Sequence, residues 1–356
     1  MTTDIEKAKA RLDKIINKSR TRFYKPIQIA EVLYNSRIDK NIDTSNKEDY
    51  RIKSKLWRDQ VTDRLLKHSS TSSSRFQDDI WNDNAMPPEI LKILDDFNKN
   101  YPGVVERYIY FKFKEKLGII ASIMEVVVTG VSSPENFQLE NLLSLFRQEA
   151  GIKRSIDKCY EIITYSLFQT VVNQLEAEIT VKIPKKNYPL LQEFSDLSQV
   201  LLNVSPQKQE WTELAHIYRV GVTNAADRDL DMWANFGPVI QVKHLTLNSA
   251  QVETIVDQVE SDNIIIVCRD ADASVISILM KQIGWGKRVR GIVKESQLIE
   301  WYNRCLKGEF SHQLSQPLMN LLQQGFDEEF PEVTGIMEFC QERKYTDINL
   351  PEAWQK

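Results

Sequence analysis

Residues 228–245 read RDLDMWANFGPVIQVKHL. Two short apolar runs flank ANFGP, where Gly237 and Pro238 punctuate the chain. That is the pattern of two strands joined by a tight turn. A strand puts residues two apart on one face. Asp229 and Asp231 therefore share a side if both lie in the first strand, and Gln241 and Lys243 share a side of the second. A hairpin that only fills a core has no use for this quartet, so the segment constrains both the fold and the chemistry built on it.

The residues around the hairpin extend it into a sheet. AHIYRVGVT (Ala215 to Thr223) alternates as a strand, and AEITVKIP (Ala177 to Pro184) reads as another. After the hairpin, Asn248 and Gln251 have the spacing of a capping box, and Val252, Ile255, Val256 and Val259 form one apolar helix face. NIIIVC (Asn263 to Cys268) is a continuous apolar run of strand length, which suits a strand buried on both sides. A helix over Ala273 to Ile283, the strand RVRGIV and a helix over Glu295 to Leu306 follow. An antiparallel hairpin joined to parallel crossover units predicts an α/β (α+β) core, a mixed sheet flanked by helices.

The first half reads differently. Helical spacing runs through Ile5 to Ile16, then through a helix with Pro26 in its first turn, then Lys47 to Leu66 with Leu56, Trp57, Val61, Leu65 and Leu66 along one stripe. SSTSSSR (Ser69 to Arg75) is a polar low-complexity interruption. Helices resume at Pro88 to Asn98, Val105 to Val128 with a break, Asn136 to Glu149 and Ile152 to Leu175. The expected organisation is a mainly helical recognition and dimerisation region over 1–205, the mixed-sheet core over 206–310 and a helical extension over 311–356.

With 356 residues, two domains are the default. The charged beginning MTTDIEKAKARLDK has no signal-peptide core, and the longest apolar run is interrupted by Glu125 and too short for a bilayer. Cys159, Cys268, Cys305 and Cys340 are scattered without a CxxC pair, so reduced thiols in a cytoplasm are the simple expectation. A net charge of -4 does not announce a nucleic-acid binder, yet DNA contact needs only a local basic face. KSRTRFYK (18–25), RIKSKLWR (51–58), IKR (152–154) and GKRVRG (286–291) are the candidates; taken singly, each is better explained as a solvated helix face or strand end. No GxxxxGK[ST] stretch supports an ATP-driven motor, and His68, His216, His244 and His312 lack metal-ligand spacing.

Carboxylate and amide oxygens suit a hard cation such as Mg²⁺. A lysine beside them suits an attacking water and the charge that develops on phosphorus. Together these are the parts for hydrolysing a phosphodiester. The order D-x9-Q-x-K, from Asp231 to Gln241 and Lys243 across two strands, is the PD-(D/E)xK nuclease pattern with Gln241 in place of the second acid. That replacement removes one negative charge, and Asp229, Asp227 and Glu213 are the carboxylates available to restore it. By pattern alone, a surface hairpin with solvated Asp, Gln and Lys fits as well.

The segment Tyr218 to Leu247, YRVGVTNAADRDLDMWANFGPVIQVKHLTL, resembles the signature of the HaeII-type family of type II restriction endonucleases. KPIQIAEVLYNSR (Lys25 to Arg37) resembles the same family, and the likeness runs over most of the chain. The resemblance implies a restriction-endonuclease-like core and Mg²⁺-dependent cleavage of double-stranded DNA at a short GC-rich palindrome, RGCGCY for the family prototype. It implies that Asp231, Gln241 and Lys243 carry the catalytic motif, with Asp231 and Gln241 on the metal and Lys243 at the water; the role of Asp229 stays open. A palindromic target implies a two-fold homodimer, and a restriction enzyme implies a cognate DNA methyltransferase. Given a nuclease, Asn224 and Arg228 in TNAADR and Lys287, Arg288 and Arg290 beside Trp285 are the expected DNA contacts. A structure-directed repair or junction nuclease on the same core, or a non-catalytic DNA-binding protein on a nuclease-like fold, remain the alternatives.

Overall fold

The computed structural model describes residues 3–355 except 20–21, 40, 68, 71–76, 149–151, 153–154, 221–229, 249, 252–253, 256–262, 272–288, 331–332 and 334. The chain divides into two compact units, one of residues 1–132, 138–159 and 323–356, the other of residues 133–137 and 160–322.

The first unit is helical: α1 (Asp4–Lys18), α2 (Tyr24–Ile38), α3 (Lys47–Leu66), α4 (Pro88–Asn100), α5 (Val104–Ser132) and α6 (Leu139–Gln148). Thr3 and Glu6 form a reciprocal capping box that starts α1. α2 contains KPIQIAEVLYNSR and is buried on all sides, with Ile27, Gln28, Ile29, Ala30, Glu31, Val32 and Leu33 all inaccessible or nearly so. A helix apolar all round belongs in the middle of a bundle. α3 turns Tyr50, Ser54, Arg58, Val61, Leu65 and Leu66 inward. Leu56, expected on that stripe, points out at 62% exposure, because the inward face follows the spacing of Tyr50, Ser54 and Arg58. The break expected in Val105 to Val128 is absent: α5 runs unbroken, and the side of Gly118 opens on empty space.

Two of the expected basic clusters fall partly outside the described residues, and GKRVRG keeps only its last three residues within them. In RIKSKLWR three of the four basic residues are paired within the unit, and Lys53 is exposed. Arg51 and Lys55 pair with Asp78 at 3.2 and 2.8 Å, and Arg58, 1% exposed, pairs with Asp59 at 2.6 Å.

The first unit also takes in residues 336–354. Helix α12 (Ile336–Glu342), Tyr345 and Trp354 lie in its core, where Trp354 stacks on Phe97 with ring centres 5.3 Å apart. A buried polar network ties these residues in. Arg37 donates two hydrogen bonds of 2.9 Å to Glu106, which also accepts from Asn98 at 2.7 Å and from the Tyr345 hydroxyl at 2.7 Å. Arg343 pairs with Glu31 at 3.2 Å, and the Tyr110 hydroxyl donates to Glu31 at 2.6 Å.

The second unit holds the sheet. β3 (Ile217–Arg219), β4 (Met232–Ala234), β5 (Val239–Leu247), β6 (Ile264–Ala271) and β7 (Val289–Lys294) are adjacent in that order. β3, β4 and β5 are antiparallel; β5, β6 and β7 are parallel. This is the mixed sheet the alternation of elements predicted. The Asn248–Gln251 capping box forms with both bonds at 3.0 Å. Ile264, Ile266, Cys268, Leu247, Ala271 and Ile255 make the core over one face. Helix α10 (Glu295–Lys307) follows β7, and the Tyr302 hydroxyl donates to the Ile163 carbonyl of α7 (Ile156–Gln174) at 3.0 Å. The helix expected over Ala273 to Ile283 lies outside the described residues.

β1 (Glu178–Lys182) forms as expected and pairs antiparallel with β2 (Glu210–Leu214). Both strands fall in the second unit. Between β1 and β2 the chain forms α8 (Tyr188–Glu193) and α9 (Ser195–Leu202). The chain returns to the first unit within helix α11 (Ser311–Glu329), at Gln323. No described helix is long and apolar enough to cross a membrane.

Candidate active site

The β4–β5 register pairs Met232 with Ile240 and Trp233 with Val239. One step further sets Asp231 opposite Gln241. The contact is direct: the Val242 backbone N–H donates to the Asp231 Oδ2 at 2.8 Å. The Asp231 carbonyl in turn accepts from the Val220 N–H at 2.9 Å, which holds the residue in line with β3. Asp231 is thus fixed from both neighbouring strands. Its carboxylate sits beside β5 between the positions that carry Gln241 and Lys243.

Gln241 and Lys243 share the face of β5 that Ile240 and Val242 do not. Gln241 is 2% exposed, and its Oε1 is buried without a hydrogen-bond partner. An unmet buried carbonyl oxygen costs about 1–3 kcal/mol. A fold keeps such an atom where something else satisfies it. An amide oxygen and a carboxylate on facing strands form a donor set that suits a hard cation. Lys243 is half-buried and makes no ion pair among the described residues. These three residues are brought together as the motif spacing predicts. No group of three His, Cys, Asp or Glu side chains among the described residues has metal-holding geometry.

The other expected participants fall elsewhere. Glu213 is exposed on β2, and its Oε1 accepts from Asn235 Nδ2 at 3.0 Å. Asn235 lies in the turn four residues after Asp231, roughly 13 Å along the strand. Glu213 is therefore engaged at the turn and is not brought to Asp231. Asp227, Asp229, Asn224, Arg228, Lys287 and Arg288 lie outside the described residues. Arg290 is exposed on β7. Trp233, beside the turn, is 42% exposed and stacks on Tyr218 with ring centres 4.3 Å apart.

Sequence reading missed two charged residues on the same sheet face. The parallel register sets Lys243, Cys268 and Lys294 in one row across β5, β6 and β7. Asp270, two residues beyond Cys268, pairs with Lys294 at 3.0 Å. That bond, with the Ala271 N–H, holds the Asp270 carboxyl below its usual range. No local pattern joins residues 24 positions apart, so only the strand register reveals the pair.

Cys268 completes the row, but not as a ligand. Burial, with Asp270 adding to it, pushes its thiol up to about 11. It is protonated at neutral pH, and metals and electrophiles need the thiolate. All four cysteines are buried. Mass spectrometry after brief N-ethylmaleimide treatment at pH 7 should therefore find no labelled cysteine in the folded protein and four after unfolding. Labelling of Cys268 in the folded state would contradict this placement.

The chain is 43% identical over 344 residues to the type II restriction enzyme HaeII of Haemophilus aegyptius, covering 96% of this chain and 97% of that one. It is 43% identical over 353 residues to the type II restriction enzyme NgoBI of Neisseria gonorrhoeae, covering 98% and 99%. No solved structure matches. Residues 8–345, which take in both the helical unit and the Asp231–Lys243 hairpin, match the HaeII restriction endonuclease family, and the chain belongs to that family.

Proposed function

We infer that this protein is a type II restriction endonuclease, a site-specific deoxyribonuclease that hydrolyses phosphodiester bonds of double-stranded DNA within a restriction–modification system. The observation that carries the reading is the Asp231 carboxylate bonded to the Val242 amide, between Gln241 with its unmet buried oxygen and Lys243. The target proposed from the family is a GC-rich palindrome of the RGCGCY kind.

Asp231 and Gln241 are the residues that would hold Mg²⁺, with Asp229 as a further carboxylate. When bound, the ion polarises the scissile phosphoryl group and lowers the pKa of a water. The chain does the positioning. The Val242 N–H fixes the rotation of the Asp231 carboxylate. The β5 backbone fixes the separation of Gln241 from Lys243 at one pleat repeat. Lys243, whose ammonium is not neutralised by any described carboxylate, orients the attacking water and offsets charge that builds on the phosphate oxygens. Arg290 on β7, together with Lys287, Arg288, Asn224 and Arg228, is proposed to contact DNA. Cutting both strands of a palindrome calls for a two-fold homodimer, and a cognate DNA methyltransferase would protect host DNA in the same cytoplasm.

Unmethylated phage DNA with Mg²⁺ should give discrete bands on a gel, and EDTA should abolish them. Sequencing the ends then yields the site and the cut position. A smear would point to a non-specific or structure-directed nuclease. Binding without cutting would leave a DNA-binding protein on a nuclease-like fold.

A further inference from the structure

The sheet row that carries Lys243 holds a second lysine. Lys243, Cys268 and Lys294 stand side by side across β5, β6 and β7. Neighbouring strands lie about 4.8 Å apart, so the two lysines rise roughly 10 Å from each other on one face. Cys268 between them is buried and, with its thiol pushed up to about 11, uncharged at neutral pH. Toward the start of the strands the same face is apolar, with Val239, Ile264, Ile266 and Ile292 in or against the core. The charge is gathered toward the carboxyl ends of β6 and β7, the end of parallel strands where open sheets hold their ligands.

The ion pair that Lys294 makes is one the fold can give up. Its Nζ lies 3.0 Å from Asp270 Oδ1, and the two side chains are 31% and 60% exposed. Exposed pairs of this kind contribute little to stability. The Ala271 N–H also donates to Asp270 Oδ1, at 2.8 Å, so the carboxylate keeps a partner if the lysine leaves. A DNA strand offers the lysine the same kind of partner, an anionic oxygen, in a repeating series. Its nucleotides rise about 3.4 Å each, so roughly 10 Å covers about three of them. A strand laid along the row with one phosphate at Lys243 therefore brings another within reach of Lys294. Without DNA, Asp270 occupies the ammonium instead.

We propose that Lys294 is a second phosphate contact of the nuclease, gripping the DNA strand beside the phosphate that Lys243 serves, and that Asp270 is the internal anion it exchanges for DNA; the proposal rests on the nuclease reading above. Binding is followed by fluorescence anisotropy in EDTA, so that nothing is cut, on a labelled duplex containing AGCGCT and on one lacking it. Over roughly 50 to 200 mM KCl, each phosphate contact adds about one to the slope of log affinity against log salt. Lys294→Ala lowers that slope by about one on both duplexes and weakens binding roughly fivefold at 0.1 M salt. Lys294→Arg keeps the slope. Asp270→Asn, which removes the competing anion, binds both duplexes roughly threefold tighter. An unchanged slope in Lys294→Ala overturns the phosphate contact. An Asp270→Asn protein that binds no tighter overturns the exchange. Both results leave the nuclease reading intact. An unaltered protein that binds neither duplex overturns the proposal, and the nuclease reading falls with it only if unmethylated phage DNA also stays uncut with Mg²⁺.

Discussion

Replacing Lys243 with alanine should lower the single-turnover cleavage rate roughly a thousandfold while the affinity for the target duplex, measured without Mg²⁺, changes only a few-fold. Lys243 projects from the middle of β5 on the face shared with Gln241 and makes no ion pair among the described residues. Its removal therefore leaves no buried carboxylate stranded. The substituted protein should unfold in urea within about 0.5 kcal/mol of the original, as surface-type changes do. A Lys243→Ala protein that cleaves at the normal rate would remove the lysine from the chemistry and with it the proposed mechanism.

The second large effect concerns stability. Glu106→Ala should destabilise the helical unit by about 3 to 5 kcal/mol, the usual cost of breaking a buried ion pair from one side. Glu106 is fully buried and accepts four hydrogen bonds, two of them from Arg37. Truncation leaves the buried Asn98 amide and Tyr345 hydroxyl short of an acceptor and the partly exposed Arg37 guanidinium without its counter-ion. Urea denaturation followed by circular dichroism reads the change. A loss under about 1 kcal/mol would show that the cavity fills with water and re-satisfies the three donors.

These two residues also show what the chain discloses by itself. Lys243 was legible because a strand has period two and a tight turn limits the register, so D-x9-Q-x-K places its residues on facing strands by local geometry alone. The run NIIIVC and the box Asn248–Gln251 were legible for the same reason: each is written in adjacent residues. Glu106 was not. Two of its three partners lie 69 and 239 positions away, and a buried glutamate looks like any other until its partners are known. α2 gives no amphipathic stripe because it is covered on every side, so its place at the centre of the bundle does not appear in its periodicity. Glu213 seemed free to join the metal ligands because its bond to Asn235 depends on how β2 meets the turn after β4.

The polar network around Glu106 and Glu31 bears on the order in which the protein is made. Tyr345, Arg343 and Trp354 complete a core whose other walls are α1 to α5, yet the ribosome adds them only after the entire sheet unit. Domains ordinarily fold in the order of synthesis. Here the unit that is begun first is finished last. During elongation α2 and α5 wait with Glu31 and Glu106 lacking Arg343 and Tyr345, while the unit bearing Asp231, Gln241 and Lys243 already has all its strands. Ribosome-bound chains that stop short of residue 336 should accordingly show a protease-sensitive helical region beside a protected sheet.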